Sequence, residues 1–351
     1  MSGYPFEPNK MTQGTKDTNR QFAIGNRQSS SVRWGLIGCG DIAQKRVAPA
    51  LLESPQSELV AVSRLNTELL DEFADRFKVL HRFTHWQQLV QSNDIDAVYV
   101  ATPVNLHAEQ TIAAIEAGKD VLCEKPMAMN VAECDRMIAA AETNGVKLGI
   151  AYYRHFYPLV RRMKKLIDSE EIGKPIVAQV DAFEWFNPGS SNPRAWLLQP
   201  EISGGGPMFD FGCHRIQLLL HLFGPVRVIK SIASKALFDR MVEDTALASF
   251  EFSQGTVATL TVSHAVMDPR DSFTVWGSEG SMTTEVLNQG KLIITTRDGQ
   301  RTETHLPAEN IHQPLVEDFV QAVIDDRQPS VPGEIGRAVA EVEEEIYKSG
   351  H

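Results

Sequence analysis

The chain has 351 residues, 42% hydrophobic and 23% charged, an ordinary globular composition with enough length for two packed domains. Lysine and arginine number 34 against 45 aspartates and glutamates, a net charge of -11, so no basic field draws nucleic acid or an anionic membrane surface. No apolar run approaches the roughly 18 residues of a membrane span, and Cys39, Cys123, Cys134 and Cys213 form neither a CxxC pair nor a cluster with histidines at zinc-ligand spacing. These features predict reduced thiols, a cytoplasmic location and no bound metal. The stretch 1–30 is polar, rich in Ser, Asn, Gln, Gly and Thr, and lacks the apolar centre of a signal peptide; it reads as a disordered leader.

From Val32 to about Tyr152 short apolar runs alternate with amphipathic stretches, the signature of a parallel sheet covered by helices. Strands are expected at 32–37, 59–63, 79–82, 97–101, 120–123 and 147–152. Helices are expected at 42–52, 67–77, 86–92, 107–117 and 131–144. In the last of these Asn130 can cap the start with Glu133 three residues on, and Gly145 can end it. Pro49 predicts a kink in the first.

After about Ala151 the rhythm changes. A helix at 159–168 precedes strands at 176–185, 226–237, 246–252, 256–264, 273–276 and 292–296, which read as one mostly antiparallel sheet. Helices at 315–325 and 335–348 close the chain. The expected class is therefore α/β: a doubly wound parallel sheet, then an α/β domain with a large open sheet. The expected divisions are 31–152, 153–312 for substrate and oligomerisation, and 313–351.

The turn Gly38-Cys39-Gly40-Asp41-Ile42-Ala43 follows the first apolar run and opens a helix. Gly38 allows the tight turn, Gly40 lets the backbone approach a pyrophosphate, small Ala43 lets the helix pack on its strand, and the first helical N–H groups face the phosphates. The residues after the other strands should meet the same ligand. Ser63-Arg64 stands where an NAD-specific site offers a carboxylate to the ribose, which favours NADP over NAD. Thr102 and Pro103 would line the cofactor; Asn105 either joins them or caps the next helix, and His107 is either a cofactor contact or a surface side chain.

Glu124-Lys125-Pro126 follows the fifth strand. A lysine there is costly to bury unless paired, and points toward a nicotinamide, where its charge favours a developing alkoxide. The alternative is a surface lysine paired with Glu124. Further on, Gly204-Gly205-Gly206-Pro207 opens a helix carrying Asp210, His214, Gln217 and His221. Asp210 and His214 would lie one turn apart on one face, so that the carboxylate orients the imidazole and raises its pKa.

GLIGCGDIA, AVYVATPVNLH, VLCEKPMAMN and GGGPMFDFGCH, in this order and spacing, resemble the Gfo/Idh/MocA oxidoreductases from about Val32 to the end. The resemblance implies a Rossmann domain, a second domain on a large open sheet, and hydride transfer between a nicotinamide and a hydroxyl-bearing carbon of a sugar, polyol or related molecule. Carried over by motif, the EKP lysine is Lys125, the motif aspartate Asp210 and the catalytic histidine His214. It also implies a homodimer or homotetramer built on the open sheet, and last helices that return toward the nucleotide domain. Tyr153 and Arg154, then Trp185 and Arg194, are expected on the substrate side. Two other activities fit the same residues: a glycoside hydrolase or lyase using transient oxidation, and a non-catalytic nucleotide sensor.

Overall fold

The computed structural model describes residues 31–349, so the expected leader lies outside the described residues. Six strands form the first sheet: β1 (Val32–Ile37), β2 (Ser57–Ser63), β3 (His81–Phe83), β4 (Ala97–Val100), β5 (Asp120–Cys123) and β6 (Leu148–Ile150). Their order is β3-β2-β1-β4-β5-β6 and every pairing is parallel, a doubly wound arrangement. The cause is visible in the central strands, which are covered on both faces; all four residues of β4 and all four of β5 are buried. The distortion expected at Pro49 takes the form of a π-helical stretch, Ala43–Val47, ahead of the regular turns Ala48–Glu53.

The second sheet contains β7 (Pro175–Trp185), β8 (Val226–Ser234), β9 (Thr245–Phe252), β10 (Val257–Ser263), β11 (Ala265–Gly277), β12 (Gly280–Thr284), β13 (Lys291–Thr296) and β14 (Gly299–Thr304). Its order is β14-β13-β12-β11-β7-β10-β9-β8, antiparallel except where β7 and β10 run side by side. Strands β12 and β14 were not expected, and β11 begins at Ala265 rather than at 273. Strand β14, Gly-Gln-Arg-Thr-Glu-Thr, is an edge strand exposed on both faces, so it carries no apolar alternation.

Buried and more open side chains alternate through the middle of β7, along β9 and β10 and at the end of β11. Ala178, Val180, Ala248, Phe250, Leu260 and Val275 point inward, where the helix Cys213–Phe223 covers them; its Phe223 ring lies 5.3 Å from that of Phe252. The outer face exposes Val177, Val228, Ile232, Leu247, Val257 and Trp276.

The closing helices are Gln313–Ile324 and Gly333–Ser349. Phe319 of the former stacks on Trp34 of β1, ring centroids 5.4 Å apart. The latter touches both sheets: Gly336 packs against Met127 and Ile150, while Tyr347 donates to Glu243 at 2.8 Å and Ser231 of β8 donates to the Ile346 carbonyl at 2.5 Å.

Candidate active site

The carboxyl ends of β2, β1, β4 and β5 lie in a row, so the loops that follow them share one edge. Gly38 N–H donates to the Ser63 carbonyl at 3.0 Å, and Glu124 N–H to the Val100 carbonyl at 2.9 Å. Gly38 has φ +95°, and a Cβ placed on it would lie 2.6 Å from the Ala101 carbonyl oxygen. Gly40 is the opposite case: an added Cβ would meet nothing within 4 Å, so its backbone is open to a ligand. Helix begins at Asp41, which is exposed and paired with Lys45, and Ile42 is also exposed. A glycine cradle that opens onto a helix start suits a pyrophosphate.

Ser63 is buried at the end of β2, which leaves Arg64 as the group this loop presents; its guanidinium donates to the Cys39 carbonyl at 2.5 Å. Thr102 donates to Gln110 at 2.7 Å, Pro103 is partly exposed, and Asn105 is exposed and makes no capping bond. His107 differs from the surface alternative. It is fully buried, with Nδ1 2.9 Å from the Pro126 carbonyl and Nε2 2.8 Å from that of Thr102, so the ring braces two loops and keeps no exposed atom for a cofactor. The helix His107–Glu116 buries His107, Gln110, Thr111 and Ala114 on one face, and this inward spacing is the signal that places the histidine inside.

Lys125 does not pair with Glu124 through its side chain. Its Nζ lies 2.9 Å from the Asp210 carbonyl and 3.3 Å from the Asp210 carboxylate. Burial alone would lower the ammonium pKa; Asp210, with smaller contributions from other acidic neighbours, more than offsets it, and the group is held as a cation. Glu124 is engaged elsewhere: Tyr99 donates to it at 2.8 Å and His312 stands 3.3 Å away. Burial raises its pKa, yet His312, Lys125 and Tyr99 together bring it below the ordinary value.

The glycine run lets the chain pass close to the last helix and to Glu243. A Cβ on Gly206 would sit 2.2 Å from the Glu243 carbonyl oxygen, and the Glu243 carboxylate accepts from Gly206 N–H at 2.9 Å and Met208 N–H at 3.2 Å. Residues Met208–Gly212 then wind as a π-helix before the α-helix Cys213–Phe223. That wider turn overturns the expected Asp210–His214 pairing, because four residues no longer make one turn. Asp210 faces Lys125 and, at 3.9 Å, Arg194 instead. Burial would raise its pKa, but Lys125, Arg194 and His264 keep it low.

His214 is 3% exposed, with the Tyr153 ring 4.7 Å and the Tyr152 ring 5.8 Å from its own, and its Nδ1 is enclosed without a partner. The expected rise in its pKa is reversed. Burial, then the charges of Lys125, Arg154, Arg215 and His312, drive it well below the ordinary value, and the ring is neutral.

Tyr153 thus lies at the imidazole. Arg154 lies behind it, buried and bound to Asp271 at 2.9 Å, and Arg215 binds the other oxygen of that carboxylate at 2.5 Å. Trp185 is half-exposed against Phe238, and Arg194 stacks on Phe186 with its guanidinium 4.5 Å from the ring. Asp271, His312, Glu243, Glu184 and His264 had no local sequence signal; strand ends and the closing helices bring them in from far along the chain.

Residues 32–152 match the model described as an oxidoreductase family with an NAD-binding Rossmann fold, and residues 160–283 match the GFO/IDH/MocA C-terminal domain. The chain is 32% identical over 294 residues to oxidoreductase P35 of Formosa agariphila, covering 83% of this chain and 90% of that one. It is 31% identical over 309 residues to 1,5-anhydro-D-fructose reductase of Ensifer adhaerens, covering 87% and 92%. The solved aldose-aldose oxidoreductase of Caulobacter crescentus, complexed with glycerol, superposes with a TM-score of 0.84 at 26% identity, over 91% of this chain and 97% of that one.

Proposed function

Since this chain belongs to the GFO/IDH/MocA oxidoreductase family, we propose that it exchanges a hydride between NADP, in preference to NAD, and a CH–OH carbon of a sugar, polyol or related molecule. The observation that carries this is a fixed cation beside a neutral imidazole: Lys125 held by Asp210, and His214 buried without a partner for Nδ1. Gly38, Gly40, Asp41 and Ile42 would hold the pyrophosphate through their backbone, Arg64 the adenosine phosphate, and Thr102, Pro103, Asn105 and the Glu124-Lys125 loop the nicotinamide half. The nicotinamide, when bound, supplies the hydride acceptor or donor. In the oxidative direction His214 takes the hydroxyl proton at Nε2, the nitrogen that is not sealed in. Lys125 stabilises the developing alkoxide, and Asp210 keeps Lys125 charged and in place. Tyr153 and Arg194 line the substrate side, whereas Arg154 supports from behind.

Support for NADP is the lack of a carboxylate across residues 63–66 beside a partly exposed Arg64. The named sugars of the relatives support the substrate class. The apolar outer face of the second sheet supports a homodimer or homotetramer, and four buried unpaired cysteines support a reducing, cytoplasmic setting. Residues 31–152 would serve the nucleotide, 153–312 the substrate, with 313–351 joining them. A panel of aldoses, polyols and 1,5-anhydro-D-fructose, followed by reduced-nicotinamide absorbance with each coenzyme, tests this. The expected result is steady turnover with kcat/KM at least about tenfold higher for the NADP couple. Cofactor binding without turnover across the panel would overturn it.

A further inference from the structure

We propose that Glu184, Asp210 and His264 form a second hydroxyl-binding subsite, in which Glu184 is a specificity-determining residue and Arg240 and His264 position it. The kind of ligand rests on the redox reading above; the geometry does not.

Glu184 lies near the end of β7 and His264 in the single-residue link between β10 and β11, the two strands that flank β7, so the sheet order brings them together. The His264 ring is 1% exposed, lying 4.9 Å from the ring of Phe186 and 5.2 Å from that of Phe211. Arg240 Nη2 stands 3.0 Å from His264 Nδ1, while the same guanidinium also donates to the Phe186 and Glu243 carbonyls. Arginine can only donate, so Nδ1 must accept, and the ring N–H is carried on Nε2. Nε2 is 3.4 Å from Glu184 Oε1, yet neither atom completes a hydrogen bond and both are enclosed. One ligand atom each from Glu184, Asp210 and His264 lies within 4.8 Å of the others.

The cluster therefore offers one donor and two carboxylate acceptors. Unpaired buried polar atoms of this kind are costly, on the order of 1–3 kcal/mol each, and are tolerated where a ligand completes them. A hydroxyl oxygen accepts and donates at once, and so matches a donor and carboxylate acceptors gathered within 4.8 Å of one another. A divalent cation suits them poorly, because Nε2 presents a hydrogen rather than a lone pair and Asp210 already faces Lys125 and Arg194. The Glu184 side chain is 43% exposed although its Oε1 is enclosed, so part of the carboxylate arm is open to a ligand. Through Asp210 this subsite is continuous with the Lys125 ammonium, so two neighbouring hydroxyls of one polyol can be read together.

The test is calorimetric titration of the NADPH-loaded protein with D-glucose and its monodeoxy analogues, which requires no turnover. The wild-type protein is expected to bind D-glucose at least about tenfold more tightly than one of the analogues. Glu184→Gln and Glu184→Ala should erase that discrimination while leaving NADPH affinity unchanged. His264→Gln, which keeps a donor, should preserve it, and His264→Leu should lose it. Absence of D-glucose binding to the loaded wild-type protein, or the same ranking of analogues in Glu184→Ala, overturns the subsite and leaves a cluster filled by water alone. Discrimination that survives in a protein without turnover on the panel sinks the redox reading but upholds the subsite.

Discussion

The two sheets meet the pocket with different materials. The first contributes the backbone cradle: its central strands are buried on both faces, and around Gly38 and Gly40 it leaves peptide N–H groups at the ligand edge, with Arg64 and Lys125 the charged side chains that its loops add. The second contributes charged side chains. Asp271, Glu184 and His264 stand on or beside its strands, and each is interlocked with a residue far away in sequence. Binding a dinucleotide thus depends on local conformation that few side chains can substitute for, whereas the chemistry depends on ion pairs that can be altered without moving the chain.

Two variants should break the molecule along that line. Gly38→Val places a β-branched residue at φ +95° against the Ala101 carbonyl and is expected to cost at least about 2 kcal/mol of stability and to remove measurable cofactor binding. Urea unfolding and fluorescence titration check both. Lys125→Met should do the reverse, lowering turnover at least about a hundredfold while the glycine cradle keeps most of its hold on the cofactor. Equal loss of cofactor binding in the two variants would erase the distinction.

A finer test uses pH. Because burial and surrounding cations depress the His214 pKa, the base is active above that value and lost only as pH falls through it. The acid limb of kcat/KM for oxidation is expected at a pH below the ordinary histidine range. The smallest effect concerns Glu343, enclosed with both oxygens unpartnered. Burial raises its pKa well above normal, Lys125 opposing. A carboxyl raised in the folded state contributes most below its unfolded pKa, and that contribution is lost as pH rises through the folded value. Glu343→Gln should therefore flatten the fall in unfolding free energy that sets in above the ordinary carboxylate range.

Sheet periodicity explains what could be read beforehand. The inner strands of the first sheet are continuous apolar runs and five of the six fall close to their expected positions, while β3, His-Arg-Phe at the sheet edge, lies a residue or two later and is poorly covered. Strand β14 escaped because an edge strand with little apolar surface has no pattern to show, and the interior strand β12, Gly-Ser-Met-Thr-Thr, because Met282 is its one large apolar residue. Lys125, Asp210 and His214 were legible from motif order, but not their partners. The π-helical turn at Met208–Gly212 leaves no trace in residue spacing, so the carboxylate was assigned to the histidine when it belongs to the lysine. Glu184, His264 and Asp271 become neighbours of the pocket only through strand order, which single-residue patterns do not encode.

The last helix holds a consequence for anyone recombining this protein with a relative. Its Glu344 receives Val131 N–H at 2.7 Å, Gly336 is wedged on Met127, and Tyr347 reaches Glu243. A chimaera cut after residue 152 would inherit this helix from one parent and half of its seat from the other. Exchanging the substrate half cleanly requires moving the helix surface and its seat as a set, and calorimetric melting of such hybrids should split from one transition into two wherever the match fails.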